Sequence, residues 1–206
     1  MTESRKVTAI LVAAGPSSRL GQPKQLVEYQ GEKLARRSAR LLSEVDRVRD
    51  DVVAVIGCHA EKVAAEMKGL PVKTVLNPDW KKGMGGSIAY GARFVPEFPD
   101  GILVMACDQW KLCGDDLEKL INSWEKAPAR IHVASWKEGA AYVSGPPVVF
   151  PGRFRGELKG LDKSRGARQI IDRYMEVVEF VELDSAAHDL DRPEDLAKLL
   201  GGSERQ

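Results

Sequence analysis

Residues 10–26 read ILVAAGPSSRLGQPKQL and combine a strand pattern with a loop pattern. The apolar run of residues 7–14, interrupted only by Thr8, predicts a buried strand. The loop that follows is rich in Gly, Pro and Ser, and small residues let a ligand approach the backbone N–H groups. Arg19 and Lys24 lie in this loop, where their charges can neutralise phosphates. The stretch therefore predicts a strand followed by a phosphate-binding loop.

Two common phosphate-binding motifs do not fit this loop. A P-loop requires Gly, four residues, Gly, Lys and then Ser or Thr, whereas Gly21 is followed by Gln22 and Pro23. The dinucleotide-binding fingerprint requires GxGxxG after the first strand, and only Gly15 is present there. The alternative interpretation is a plain strand–turn–helix connection with surface cations.

The composition limits the classes of protein to consider. A chain of 206 residues that is 43% hydrophobic and 30% charged predicts one globular domain over residues 1–206. Its net charge of +1 gives no reason to expect nucleic acid or an anionic membrane as a partner. No apolar run approaches the roughly 18 residues that span a bilayer. Three cysteines without a CxxC pair, and an N-terminus that leads directly into the first strand, predict a reduced cytoplasmic protein without a signal peptide.

Strand-like and helix-like segments alternate along most of the chain. Apolar, branched runs predict strands at residues 7–13, 51–56, 72–76, 102–106 and 131–135. Periodic segments predict helices at residues 32–45, 60–67, 86–94 and 115–126. This alternation predicts an α/β fold with a mainly parallel sheet and helices on both faces. Gly15, Asn77 and Asp108 each follow a predicted strand, so we expect one crevice at the carboxyl edge of the sheet to gather them.

The last quarter of the chain has a different pattern. Residues 143–150 contain Gly145, Pro146 and Pro147, so we expect them not to form a regular central strand. Further elements are predicted as a helix at residues 165–175, a strand at 177–183 and a final helix at 193–200.

Polar residues that follow predicted strands are candidates for a binding site. Asn77, Gly83 and Ser87 belong to a glycine-rich loop whose N–H groups can hold a base or a ribose, or which simply caps a helix. Asp108 follows four apolar residues, and a carboxylate there can either hold Mg²⁺ against a triphosphate or cap a loop.

A second carboxylate is available just before the last predicted helix. Asp189 and Asp191 point to the same side if this segment is extended, so their spacing does not choose between them. Asp191 is preferred because it is nearer to the helix. The alternative is an N-terminal capping segment before Pro193.

The stretch of residues 10–26 resembles the signature LxAGGxSxRMGxxK of the nucleotidyltransferases with a MobA-like fold. Its Ala-Ala-Gly form with Ser17, Ser18 and Arg19 is more similar to the molybdenum cofactor cytidylyltransferase branch than to the guanylyltransferase branch. The later segments 77–87, 106–110 and 189–196 are similar to family segments in the same order. The resemblance implies a Rossmann-like three-layer α/β/α fold with a small antiparallel addition near the C-terminus. It also implies a nucleotide half near residues 1–110 and an acceptor half near residues 111–200.

The resemblance also implies roles for individual residues. The catalytic cations are Arg19, on the β- and γ-phosphate oxygens, and Lys24, at the α-phosphate. Mg²⁺ is held by Asp108 together with Asp191 or Asp189. Nucleotide binding is implied for Val12, Ala13, Ala14, Gly15, Ser17, Ser18, Asn77, Gly83 and Ser87. Acceptor binding is implied for Gly145, Pro147, Arg165 and Arg168, with Lys163 as a further cation.

The implied reaction moves a nucleoside monophosphate from an NTP to a phosphorylated acceptor and releases pyrophosphate. CTP is favoured over GTP as the donor, molybdopterin is the implied acceptor, and a molybdoenzyme or its maturation factor is a further partner. Sugar phosphates or other small phosphorylated acceptors are the alternative within the same class. Trp110 and Arg192 depart from the family pattern beside the proposed metal ligands, which favours a nucleotide-binding protein without turnover as the alternative from another class. A glycosyltransferase of related fold would show Asp-x-Asp after the fourth strand, where Asp108 is followed by Gln109.

Overall fold

The computed structural model describes residues 5–48, 51–162 and 165–201. Within these ranges the strands are β1 (Val7–Ala13), β2 (Glu28–Tyr29), β3 (Glu32–Lys33), β4 (Val52–Ile56), β5 (Val72–Leu76), β6 (Gly101–Ala106), β7 (Ile131–Glu138), β8 (Ala141–Pro151) and β9 (Val178–Glu182). The helices are α1 (Leu34–Glu44), α2 (Ala60–Glu66), α3 (Met84–Gly91), α4 (Gly114–Lys126), α5 (Arg155–Lys159), α6 (Arg168–Arg173) and α7 (Pro193–Gly201). Lys163, predicted above as a cation near the acceptor, lies outside the described residues.

Seven strands form one sheet in the order β5-β4-β1-β6-β8-β7-β9. Neighbouring strands are parallel except at β8, which is antiparallel to both β6 and β7. Strands β4 and β6 are buried along their whole lengths, as expected where helices cover both faces of a sheet. The mainly parallel sheet and the antiparallel addition near the C-terminus are therefore confirmed.

Two helices start later than the sequence predicts. Strands β2 and β3 pair as a short antiparallel hairpin, so α1 begins after β3 rather than at residue 32. Helix α6 begins at Arg168 rather than at residue 165, because Gly166 has a φ of 56° and a left-handed residue cannot belong to a right-handed helix.

Strand β8 corrects the expectation that residues 143–150 avoid the centre of the sheet. The strand lies between β6 and β7, and it pairs with both. Its register against β7 steps from the pair Val148–Val133 directly to the pair Gly145–Ala134. Pro146 and Pro147 are thus the two residues without a partner on β7, which is where a residue without an N–H group does no harm. The strand is central, and its irregularity is confined to the two prolines.

Apolar side chains on the two faces of the sheet form two separate cores. Along β1, Leu11 belongs to the core beneath α1 and α4, whereas Ile10 belongs to the core beneath α3 and α6. Alternation of this kind follows from the two-residue period of a strand. Trp124 on the first face and Phe150 on the second are fully buried. The chain therefore has the predicted three layers, with helices on both sides of the sheet.

The segment before α7 returns to the carboxyl end of β6. An isolated antiparallel bridge joins Gln109 to Asp189, and the Leu190 N–H donates a hydrogen bond to the Asp108 carbonyl over 3.1 Å. A small third core fixes this return, with Leu190 and Leu199 packed against Trp110. Polar residues that are far apart in sequence meet at this edge of the sheet. Among the described residues, no helix combines the length and apolarity needed to cross a membrane.

Candidate active site

A cavity of about 570 Å³ lies at the carboxyl ends of β1 and β6. The residues that the sequence predicts for a site and that line this cavity are Val12, Ala13, Gly15, Ser17, Ser18, Arg19, Lys24, Gly83, Ser87, Asp108 and Asp191. The other lining residues are Pro16, Gln25, Trp80, Lys81, Met84, Ala106 and Cys107. Four segments from different parts of the chain, within residues 12–25, 80–87 and 106–108 and at residue 191, therefore converge on one cavity. A cavity of this volume is of the size that binds small molecules.

The loop after β1 is held in shape by its own side chains. Ser17 has a φ of 55°, a left-handed conformation that is uncommon for a residue with a side chain. Its hydroxyl accepts a hydrogen bond from the Lys24 backbone N–H over 3.0 Å. Gln25 is fully buried, and its Nε2 donates to the carbonyls of Ala13, over 3.2 Å, and Gly15, over 2.7 Å. Sequence reasoning misses Gln25, which ties both ends of the loop together.

Lys24 is the centre of a network of four charged side chains. Its ammonium donates hydrogen bonds to Asp108 Oδ2 and, over 3.0 Å, to Asp191 Oδ1. Arg19 donates to the other carboxylate oxygen of Asp191 over 2.7 Å. The Lys24 side chain is 17% exposed and that of Asp108 only 7%. Burial lowers the pKa of Lys24, but the charge of Asp108 and the hydrogen bonds to Asp108 and Asp191 together raise the pKa above its ordinary value, so Lys24 is charged.

The structure separates the two candidate carboxylates that the sequence leaves open. Asp191 lines the cavity and binds both Lys24 and Arg19. Asp189 is exposed to solvent and is not among the lining residues. Partial desolvation, together with the charges of Asp108 and Asp191, raises the pKa of Asp189 to about 6. The charges of Asp108 and Asp191 therefore act on Asp189, but of the two candidates it is Asp191 that faces the cavity.

The two cavity carboxylates fit a hard divalent cation. Asp108 and Asp191 reach the same ammonium, so one ion can contact both, and carboxylate oxygens are ligands that Mg²⁺ prefers. No group of three or more Asp, Glu, His or Cys side chains that could hold a metal ion occurs in the part of the chain that the structure describes. The remaining ligands would have to come from water or from a bound phosphate, as is usual for Mg²⁺.

The loop between β5 and α3 forms a second wall of the cavity. Asn77 is buried, and its Nδ2 donates to the Ser87 hydroxyl over 3.2 Å while its Oδ1 accepts from the Asp79 N–H over 3.0 Å. Asn77 thus shapes the loop and does not line the cavity, and neither does the buried Ala14. Trp80, at the start of a short 3₁₀ turn, lines the cavity instead.

The two departures from the family pattern lie away from the cavity. Trp110 is buried in the third core, where its ring meets Tyr29 edge-on at a centroid distance of 5.1 Å. Arg192 is exposed, and its backbone N–H donates to Asp195 Oδ2 over 3.0 Å. Neither side chain is among those that line the cavity. Gln109, between the two aspartate segments, is buried and donates from Nε2 to the Pro146 carbonyl over 2.6 Å.

A smaller cavity of about 150 Å³ adjoins the first one and shares Val12, Met84 and Ala106 with it. Most of its walls are apolar, and the predicted acceptor residues that line it are Gly145, Arg165 and Arg168. Pro147 is buried and does not line it, whereas Pro146 does.

The two arginines of this second cavity are exposed and share one partner. Arg168 donates to Asp172 over 2.8 Å and Arg165 to the other Asp172 oxygen over 3.1 Å. The chain just before them is pressed against α3, because a Cβ on Gly85 would lie 1.9 Å from the Asp162 carbonyl oxygen. Only glycine at residue 85 permits this close approach of the chain to α3.

A three-layer α/β/α fold with a cationic loop and two carboxylates at the carboxyl edge of its sheet is typical of α/β proteins that bind ligands at that edge. Residues 9–178 match the family model described as the MobA-like NTP transferase domain, so the chain belongs to that family of nucleotidyltransferases.

Two relatives match this chain over nearly the whole length of both proteins. The protein named nicotine blue oxidoreductase from Paenarthrobacter nicotinovorans is 29% identical over 201 residues, which cover 94% of this chain and 96% of the relative. The purine catabolism protein PucB of Bacillus subtilis is 28% identical, with 90% and 92% covered. The crystal structure of Rv0371c from Mycobacterium tuberculosis superimposes with a TM-score of 0.79 at 25% identity, covering 96% of this chain and 98% of that one.

Proposed function

We propose that this protein transfers a nucleoside monophosphate from an NTP to a phosphorylated small molecule and releases pyrophosphate. CTP is the proposed donor and molybdopterin the proposed acceptor, on the resemblance of residues 10–26 to the cytidylyltransferase branch. Mg²⁺ is the proposed metal, on the resemblance of the segments that carry Asp108 and Asp191. The observation that carries the proposal is the meeting of Lys24 with Asp108 and Asp191 beside the loop after β1.

The proposed reaction needs charge neutralisation more than proton transfer. An acceptor phosphate oxygen attacks the α-phosphorus, and the bond from that phosphorus to the oxygen bridging it to the β-phosphate breaks. The electron pair of that bond leaves with pyrophosphate. Because the attacking oxygen is already anionic, no general base is required, and positioning and electrostatics supply the catalysis.

Each charged side chain of the cavity has a proposed part. The N–H groups of Ala14, Gly15, Ser17 and Ser18 hold phosphate oxygens. Arg19, whose side chain is 65% exposed, contacts the β- and γ-phosphates. Lys24 neutralises the charge that develops at the α-phosphate. Asp108 and Asp191 would hold Mg²⁺, which when bound supplies positive charge to the phosphates. Asn77 and Ser87 keep the nucleoside wall in place through their mutual hydrogen bond.

The acceptor is proposed to occupy the second cavity. Arg165 and Arg168 offer charge for a phosphate, and the apolar walls offer contact for the rest of the molecule. Both halves, residues 1–110 and 111–200, are proposed to act as one domain, since β6 and β8 pair across them. The product is proposed to pass in the cytoplasm to a molybdoenzyme or its maturation factor.

A second candidate comes from one of the relatives. The full-length relative from Paenarthrobacter nicotinovorans is named as an oxidoreductase, so a redox activity of this chain is the competing proposal. The loop after β1 does not favour it, because it lacks the GxGxxG pattern of dinucleotide-binding folds. Sugar phosphates in place of molybdopterin remain the alternative within the transferase class.

The first experiment is a melting-temperature panel of CTP, GTP, ATP and UTP, each with and without Mg²⁺. A rise in Tm that is selective for one NTP and depends on Mg²⁺ supports the transferase and names its donor, because a ligand that binds only the folded state stabilises it. Pyrophosphate release with that NTP and a phosphorylated acceptor then separates an enzyme from a binding protein. A rise in Tm with reduced nicotinamide dinucleotides but with no NTP would favour the redox candidate instead.

A further inference from the structure

The network of four charged side chains around Lys24 is balanced in charge before any ligand binds. Asp108 and Asp191 bring two negative charges, and Lys24 and Arg19 bring two positive ones, all four joined by direct contacts. The Lys24 ammonium takes one oxygen of each carboxylate, so it stands where a single ion could contact both. A divalent cation that approaches this site alone would meet two carboxylates already paired with cations.

We propose that Lys24 is an internal cation that keeps divalent metal out of the free protein, so that metal binds only together with a triphosphate that draws Lys24 away. This inference rests on the proposed function, because it assigns the same carboxylates to the metal. The two cations compete for the same oxygens, since a compact ammonium and a divalent ion are both positive charges that prefer carboxylates. Among the described residues, no third Asp, Glu, His or Cys side chain joins these two carboxylates to form a metal-binding group.

The geometry allows the exchange without unfolding the loop. The Lys24 backbone N–H is held by the Ser17 hydroxyl, and the next residue, Gln25, is tied to the loop carbonyls. Only the four-carbon side chain of Lys24 has to move. Arg19 is mostly exposed, so it too can turn from Asp191 to a phosphate. An NTP therefore offers new partners to both cations at the moment when the carboxylates are released to the metal.

The alternative is that Lys24 and Asp108 form a permanent structural ion pair that never opens. The two possibilities differ in how a neutral side chain at residue 24 changes metal affinity. A permanent pair that is broken leaves a deformed site, and metal binding stays weak or is lost. An exchangeable cation, once removed, leaves two free carboxylates, and metal binding without nucleotide becomes stronger.

The test is a Mn²⁺ titration of the full chain without nucleotide, with free Mn²⁺ measured by electron paramagnetic resonance. Mn²⁺ is a suitable probe because Rv0371c, the protein from Mycobacterium tuberculosis, has also been solved in complex with manganese. We expect Lys24→Met and Lys24→Gln to bind Mn²⁺ about tenfold more tightly than wild type, within the usual range of coupling between two sites. Lys24→Arg, which keeps the charge, and Lys62→Met, which removes a charge on the exposed face of α2, should bind as wild type does.

Unchanged or weaker Mn²⁺ binding by both neutral variants, with their melting temperatures showing folded protein, would overturn the proposal. A measurement on wild type does not depend on any variant. Mn²⁺ alone should leave its Tm unchanged, while Mn²⁺ with CTP should raise it beyond CTP alone, and a clear rise with Mn²⁺ alone contradicts the proposal. Failure of the proposed function has a different signature, because wild type would then release no pyrophosphate from any NTP, whatever the Mn²⁺ titration shows.

Discussion

The loop after β1 and the arginine pair near α6 border adjoining cavities, but the chain fixes them in opposite ways. Gln25 is fully buried and holds the loop through two backbone carbonyls. Arg165 and Arg168 are exposed, and within the described residues they are held by the surface side chain of Asp172, with further contacts of Arg168 to Ser144. The loop after β1 is therefore anchored by a buried side chain, whereas the arginine pair is anchored by contacts at the surface.

This difference fits the chemistry proposed for the two cavities. A triphosphate presents the same groups whatever its base, so a rigid loop with charges in fixed places suits it. Acceptors vary in shape, and exposed arginines can be exchanged or reoriented at little cost in stability. We therefore expect substitutions on the loop side to affect turnover and folding, and substitutions on the arginine side to affect the acceptor alone.

The largest effect is expected for Lys24→Ala. Loss of one charge that stabilises the transition state lowers turnover by about 10² or more. Steady-state pyrophosphate release, with the NTP that the melting panel selects, measures this. Lys62→Ala on the exposed face of α2 is the matched control and should keep wild-type turnover. Near-normal turnover of Lys24→Ala would remove Lys24 from the mechanism.

The next effect concerns stability and contrasts two glutamines. Gln25→Ala leaves the carbonyls of Ala13 and Gly15 without their donor, so we expect the free energy of unfolding to fall by about 2 kcal/mol. Gln169 bonds to Asp162 at the surface on the acceptor side, and Gln169→Ala should change stability by less than about 0.5 kcal/mol. Urea denaturation of the two variants measures both values. Equal losses would show that the two regions do not differ in rigidity.

The two aspartates before α7 should differ in their effect on turnover. Asp191→Asn removes a carboxylate that faces the cavity. We expect turnover to fall by roughly tenfold or more, because loss of a side chain that merely orients a metal ligand already has an effect of that size. Asp189→Asn should change it by less than about threefold, since the residue is exposed and outside the cavity lining. The reverse order in the pyrophosphate assay would make Asp189 the functional carboxylate.

A smaller effect is expected on the acceptor side. Arg165→Ala and Arg168→Ala each lose one exposed charge, so the KM for a phosphorylated acceptor should rise by about threefold to fivefold while the KM for the NTP stays constant. Arg173→Ala, an equally exposed arginine that pairs with Glu157, is the control and should alter neither KM. A rise in the KM for the NTP would place these arginines in the nucleotide site.

The smallest effect is a dependence of stability on pH. The pKa of Asp189 is raised to about 6 in the folded protein, while an unfolded aspartate has a pKa of about 3.9. The folded protein thus binds the Asp189 proton more tightly than the unfolded chain does, which adds to the free energy of unfolding. This contribution is fully present below about pH 4 and is lost as pH rises through about 6. Asp189→Asn should melt at a higher temperature than wild type at pH 7, and the difference should disappear near pH 4. Equal melting temperatures at every pH would contradict this cause of the shift.

The sheet could be predicted from sequence because its signals are local. Strands such as β1 and β6 are runs of branched apolar residues, and the pattern itself shows that both faces are covered. Strand β8 was harder, because Pro146 and Pro147 argue against a central strand at the level of single residues. Only the pairing register shows that the sheet accommodates both prolines at a step between β8 and β7.

The site was predicted less completely, because its contacts are distant in sequence. Lys24 meets Asp191 across 167 positions, and no periodicity connects them. Gln25 belongs to no recognisable motif. Its role is to donate hydrogen bonds to two loop carbonyls that would otherwise be unpaired, and the sequence does not show which carbonyls these are. Trp110 departs from the family pattern beside a proposed metal ligand, but its side chain packs in the third core. Here the sequence indicates a change at the site that the structure does not show.

The contact at Gly85 has a consequence for how such proteins can be recombined. Helix α3 and the chain at Asp162 approach so closely that residue 85 cannot carry a side chain. A segment borrowed from a relative to change the acceptor would have to present its backbone to a glycine at this point. Taking α3 alone from a relative with a larger residue at position 85 would push the helix away from the chain at Asp162. A working chimera must therefore take both sides of the contact from the same parent.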